Sequence, residues 1–254
     1  MASEFSVDSL HVRVYHNRLR MGRSAAEMVA DRVVELLKEQ AFVNIIFAAA
    51  PSQNEFLGSL IKSEVIDWKH VNAFHMDEYI GLPENAFQKF SSFLKERIFE
   101  RVPFNAVNYL DGNAINPRAE CSRYTKLLAE YPTDIVCMGI GENGHIAFND
   151  PHVADFNDPH QVKIVDLDHA CRQQQVNDGC FANLDEVPTH ALTLTIPALM
   201  AGRYIYCVVP GRNKAKAIKH TLSGRTSVEC PASILIKHPN AVLFLDKDSA
   251  SLLI

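Results

Sequence analysis

The chain has 254 residues, 47% of them hydrophobic, and a formal charge of -5, which suits one large domain with a substantial core. This mildly acidic balance, with no block of five like charges, argues against a nucleic-acid groove and against a basic membrane-binding face. No apolar stretch approaches the roughly 18 residues of a membrane span, and Met1-Ala2-Ser3-Glu4-Phe5 lacks the regions of a secretory signal, so a cytoplasmic protein is expected.

The first periodic segment, Leu10–Tyr15, alternates polar and apolar residues and reads as an edge strand. A helix follows, with Ser24 and Glu27 in capping-box spacing and Val29, Val33, Leu36 and Leu37 on one stripe. Val43–Ala48, Val71–Phe74, Ile135–Met138, Ala191–Leu194, Tyr204–Val209 and Ala241–Leu245 are near-continuous apolar runs, as expected for central strands covered on both faces. Helical segments lie between them, with no internal repeat, low-complexity tract or linker. The expected fold is therefore α/β: a single domain over residues 1–254, built on an open, mainly parallel, doubly wound sheet with helices on both faces, Rossmann-like. The six cysteines are scattered without a CxxC pair, which argues against a zinc cage or a disulfide framework and for reduced, buried thiols such as Cys137 and Cys207.

In such a sheet ligands collect where the carboxyl ends of the strands meet their loops. After Val43–Ala48 comes Ala49-Ala50-Pro51-Ser52-Gln53-Asn54, where Pro51 suits a first helical turn and free backbone amides can meet an anion. After Val71–Phe74 comes His75-Met76-Asp77-Glu78-Tyr79-Ile80-Gly81-Leu82-Pro83. After Ile135–Met138 comes Gly141-Glu142-Asn143-Gly144-His145-Ile146-Ala147-Phe148-Asn149-Asp150. Histidine titrates near neutrality, so His145 suits proton exchange, with Asp150 or Asn143 holding its ring and Asp77 free as a second base. Gly141 and Gly144 permit a turn tight enough to approach a ligand. Read singly, each residue also has an ordinary explanation: a capping histidine, a solvated Asp-Glu pair, an Asn-Gly turn.

Taken together, residues 75–83 and 139–151 resemble the two signature motifs of the glucosamine-6-phosphate deaminase (isomerase) family. Pro210-Gly211-Arg212-Asn213-Lys214-Ala215-Lys216-Ala217 resembles that family's glycine-then-lysine helix start, and the order and spacing of strands agree over nearly the whole chain. The resemblance implies an amino-sugar 6-phosphate that is ring-opened, isomerised from aldose to ketose and deaminated, without a redox or metal cofactor. By position, Asp77 would move a proton between C2 and C1, His145 would assist ring opening, and Asn143 and Asp150 would orient it. Lys214 would pair with the phosphate, helped by the 49–53 loop, Gly144, Gln175 and Arg172, the last near the family's phosphate-binding arginine. The partner implied is a small sugar phosphate, and a homo-oligomer is compatible with the sequence.

Two departures stand out. Ala49-Ala50-Pro51-Ser52 replaces the family's Gly-Gly-Thr loop and leaves less backbone freedom for a phosphate. Asp150 stands where a glutamate is frequent and is one methylene shorter, which predicts a water or a shifted loop between it and His145. The glutamine run at 173–175 and Asn177-Asp178-Gly179 suggest a lid over about 152–187. Two rival readings share this fold: a 6-phosphogluconolactonase-like hydrolase, which would need an activated water instead of a C2 base, and a sugar-phosphate sensor that binds without turnover.

Overall fold

The computed structural model describes residues 1–253. Its strands, in chain order, are β1 (Ser3–Val7), β2 (Leu10–Tyr15), β3 (Val43–Phe47), β4 (Val71–His75), β5 (Asp77–Tyr79), β6 (Ala106–Asn108), β7 (Ile135–Met138), β8 (Val162–Asp166), β9 (His190–Leu194), β10 (Tyr204–Val209) and β11 (Ala241–Asp246). Eight of them form one sheet in the order β1-β2-β11-β10-β7-β3-β4-β6. Every pair in it is parallel except the outermost, β1 with β2. The helices are α1 (Arg18–Leu36), α2 (Asn54–Leu60), α3 (Phe90–Leu94), α4 (Pro117–Glu130), α5 (His169–Asn177), α6 (Ile196–Met200) and α7 (Ala215–Thr221).

Alternation along the strands separates two cores. Ile135 and Cys137 of β7 pack with α1 residues Met21, Val29 and Val33, whereas Val136 and Met138 join Tyr124 of α4 and Ile218 of α7 on the opposite face. All four side chains of β7 are buried, which is why this strand reads as an unbroken apolar run. Burial pushes the thiols of Cys137 and Cys207 upward in pKa, and all six cysteines are free. No helix among the described residues is long and apolar enough to cross a membrane.

From β3 the chain steps outward through β4 to β6, then returns to β7 on the other side of β3 and steps outward again through β10 to β11. The crevice between the loops after β3 and β7 is thus the point where winding reverses, and the place where such sheets bind ligands.

The sequence reading needs three corrections. Ala191–Leu194 lies in β9, which belongs to a separate three-stranded sheet, β5-β9-β8, with antiparallel pairing. β2 is not an edge, because β1 covers it. And α1 starts well before Ser24: Asn17 is its N-cap and accepts from the Arg20 amide, while the Ser24 hydroxyl meets Tyr15 Oη at 2.7 Å. Within 152–187, β8 is laced to β9 and α5 follows it.

Candidate active site

A cleft opens at the carboxyl ends of β3, β4, β7 and β10, where sheets of this kind bind small ligands. Asp77 and His145 both line it, one from each of the two quoted signature segments.

Asp77 begins β5 one residue beyond β4 and is only 6% exposed. The turn that presents it is locked by His75, whose Nδ1 lies 2.9 Å from the Asp77 carbonyl oxygen. The Leu110 amide donates to His75 Nε2, also at 2.9 Å. With Nε2 accepting, Nδ1 carries the proton and donates. Burial keeps this imidazole neutral by pushing its pKa down. The Asp77 carboxyl itself is pushed well above the ordinary range, first by burial and then by the neighbouring Glu78 carboxylate. Glu78 faces the other way: it accepts from the amides of Tyr79, Phe90 and Ser91 at 2.9–3.0 Å and so anchors α3. Its oxygens are engaged with backbone amides, and it does not line the cleft.

His145 is held by a local network. Its Nδ1 lies 2.8 Å from Asn143 Oδ1 and 3.0 Å from Asp150 Oδ1. The Asn143 amide also donates to Asp150 Oδ1 at 2.9 Å. Both neighbours of Nδ1 are acceptors, so Nδ1 carries the proton and Nε2 is left as the nitrogen that can exchange one. Burial opposes ionisation of Asp150, but hydrogen bonds from His145 and Asn143 outweigh it and hold its carboxyl below the usual range. The contact with His145 is direct, so the water or loop shift expected from the shorter side chain is not needed. Asn143 and Asp150 stand behind the histidine and do not line the cleft.

Backbone geometry explains the two glycines of this loop. A Cβ on Gly141 would sit 2.2 Å from Cε1 of the His145 ring, so the imidazole rests on the bare backbone. Gly144 has φ +87, and a Cβ there would meet Cys230 Sγ at 2.7 Å. It shapes the turn but lies outside the cleft lining, contrary to its expected ligand contact. Ala147, a non-glycine residue at φ 47, lines the cleft, and Asn149 pins the same turn to Ile146 O and Leu194 O.

At the far end, Ala49, Ala50, Ser52, Gln53, Gln175 and Lys214 line the same cleft. The Gln53 amide donates to Ser52 Oγ and to Val208 O, each at 3.1 Å, tying the loop after β3 to β10. Lys214 is 4% exposed. Burial lowers its pKa, and the carboxylates of Asp178 and Glu142 work against that shift. Arg172 corrects the sequence reading: its guanidinium donates to Leu184 O at 2.6 Å and Val187 O at 2.9 Å, bracing the segment after α5 instead of lining the cleft. The sequence reading missed Arg18, Gln174 and Asp178, all of which do line it. Arg18 is the second cation there, paired with Glu55 and bonded to Pro51 O. Only the fold brings the first turn of α1 to this loop, whereas Gln174 sat inside the flagged glutamine run. Among the described residues, donors grouped closely enough to share a cation are His145, Asp150 and Cys171, and Asp150, His152 and Asp168.

Over residues 17–244 the sequence matches the family described as glucosamine-6-phosphate isomerases/6-phosphogluconolactonase. It is 35% identical over 238 residues to the glucosamine-6-phosphate deaminase of Listeria monocytogenes serotype 4a (strain HCC23), covering 93% of this chain and 97% of that one. The glucosamine-6-phosphate deaminase of Lactobacillus delbrueckii subsp. bulgaricus (strain ATCC BAA-365 / Lb-18) is 34% identical over 245 residues, 96% of this chain and all of its own. A solved monomeric glucosamine-6-phosphate deaminase superposes with a TM-score of 0.86 at 28% identity, over 95% of this chain and 99% of that one. A 6-phosphogluconolactonase from Thermotoga maritima gives 0.76 at 19% identity, over 94% of this chain and 100% of that one, a likeness of fold alone.

Proposed function

Because the chain belongs to the family of glucosamine-6-phosphate isomerases and 6-phosphogluconolactonases, we propose that it opens, isomerises and deaminates a hexosamine 6-phosphate, giving a ketohexose 6-phosphate and ammonia. The observation that carries this reading is the pairing, across one cleft, of a buried carboxyl without a neutralising partner, Asp77, and a histidine whose outer nitrogen is free, His145. His145 Nε2 moves a proton at the ring oxygen as the sugar opens. Asp77 then takes the C2 proton and returns it at C1, while the C1 carbonyl oxygen gains the proton that the nitrogen gives up, leaving a C1 hydroxymethyl and an imine at C2 that water hydrolyses at its C–N bond with release of ammonia. A carboxyl whose pKa is raised by burial accepts a carbon-bound proton and gives it back more readily than an ordinary aspartate. The substrate's own ammonium, placed beside Asp77, favours the carboxylate form before the transfer.

Lys214 and Arg18, with Ser52 and the amides of the loop after β3, supply the donors for the phosphate. A lactone hydrolase makes no use of a base aimed at C2, and a sensor makes no use of a histidine oriented through two further side chains.

The test is ammonia release from hexosamine 6-phosphates, with lactone hydrolysis measured on the same sample. Asp77→Asn is expected to lower turnover by about 10²–10⁴-fold while substrate binding persists. His145→Gln is expected to lose more on the closed-ring substrate than on an open-chain analogue. Substantial ammonia release by Asp77→Asn, or lactone hydrolysis exceeding it in the unmodified protein, overturns the assignment.

A further inference from the structure

The proton-transfer network engages Asp150 through Oδ1 alone. Its Oδ2 is fully buried and meets no donor at full hydrogen-bond geometry; the nearby thiol of Cys171, 1% exposed, only helps to hold this carboxyl ionised and touches no reacting atom. On its inner side the Asp150 carboxylate forms a group with a His145 ring nitrogen and Cys171 Sγ, all within 4.8 Å of one another. On its outer side it forms a second group of the same compactness with Asp168 and the solvent-exposed His152. One carboxylate therefore joins a surface pair of donors to a buried imidazole and thiol.

Imidazole, carboxylate and thiolate together are the donor set of zinc-type ions, which take four ligands and leave the fourth position to water when the protein supplies three. We propose that His145, Asp150 and Cys171 bind one thiophilic divalent cation of the zinc class, admitted by way of His152 and Asp168, and that the bound ion shuts the enzyme down. Binding replaces the Cys171 thiol proton, which is released to solvent, and moves the single imidazole proton of His145 from the nitrogen that faces Asp150 to Nε2, and no electrons move. The ion breaks the hydrogen bonds that orient the imidazole and fixes the ring on the metal, so Nε2 no longer meets the sugar ring oxygen. Cys171 sits in the first turn of α5, its amide bonded to the capping carboxylate of Asp168. Gln174 and Gln175 follow it at i+3 and i+4 and line the cleft, so the thiol lies on the helix face that borders the reaction site.

Cobalt(II) is the probe, because a cobalt–thiolate bond gives a near-ultraviolet charge-transfer band that carboxylate and imidazole ligands do not. Titration of EDTA-treated protein is expected to saturate at one equivalent, with that band and strong visible bands of four-coordinate cobalt. Ammonia release should fall in parallel and return on adding EDTA. Cys171→Ser should stay folded by circular dichroism, keep turnover within about twofold, lose the charge-transfer band and bind cobalt at least about tenfold more weakly. A wild-type complex without the band, a Cys171→Ser complex with unchanged affinity, or full turnover at saturating cobalt each overturns the proposal. The inhibition arm rests on the proposed deaminase activity, whereas the spectroscopic arm judges the site even if no hexosamine phosphate is turned over.

Discussion

Asp77 is expensive to keep. Its folded-state pKa lies above the unfolded one, so between the two values the native chain holds a proton that the unfolded chain has released. Stability therefore falls as pH rises from the ordinary aspartate range towards the raised value, and the full penalty persists above it. Asp77→Asn should melt higher than the unmodified protein at neutral pH, with each kcal/mol of relief showing as about 2–4 °C. The gap should close below the ordinary aspartate range, where both side chains are neutral. Thermal melts across pH check this, and identical curves at every pH would mean that the carboxyl bears no penalty. Gly141 makes a sharper point about geometry. Since the missing Cβ would lie 2.2–2.4 Å from three atoms of the His145 ring, Gly141→Ala must displace the imidazole, and a shift of about 1 Å is enough to cost on the order of 10²-fold in turnover. Ammonia release measured beside a circular dichroism spectrum separates this from unfolding.

Helix α1 shows how local signals compete. Both Asn17 and Ser24 are capable caps, and Ser24 carries the glutamate three residues on, yet the helix begins at Arg18 because Asn17 receives the Arg20 amide. Asn17→Ala should lower stability by about 1 kcal/mol, read from a denaturant midpoint. The central strands were legible because burial on both faces leaves an unmistakable apolar run. β1 was not, since nearly all of its residues are exposed, and β6 has only three residues, all half-buried. β9 was visible as a strand but not as a member of the smaller sheet, because an apolar run does not reveal which sheet it joins. The two signature segments gave Asp77 and His145 together with the residues behind the histidine. Arg18 and Asp178 escaped because their place in the cleft depends on where α1 and α5 end up, and Arg172 misled because an arginine braced on carbonyl oxygens looks, in sequence, the same as one waiting for phosphate.

At the scale of the whole molecule, the reversal of winding between β3 and β7 brings four separate loops to one crevice, and that is what lets a carboxyl and a histidine far apart in the chain line the same cleft. The same sheet has a seam on its other side. β11 lies between β10 and β2, with His11 facing Val242. A chain cut after Asn240 would leave β2 and β10 without a common neighbour, exposing two strand edges to self-association. Such a truncation is expected to be recovered as aggregate, and a soluble, monomeric product would show that the rest of the sheet closes without β11. The seam also sets the order of events during synthesis. The β1–β2 hairpin leaves the ribosome long before β11, but its place in the sheet does not exist until β11 has followed, so while residues 16–240 emerge it waits beside an unfinished sheet. Chaperone capture of nascent chains should therefore persist until β11 has cleared the exit tunnel.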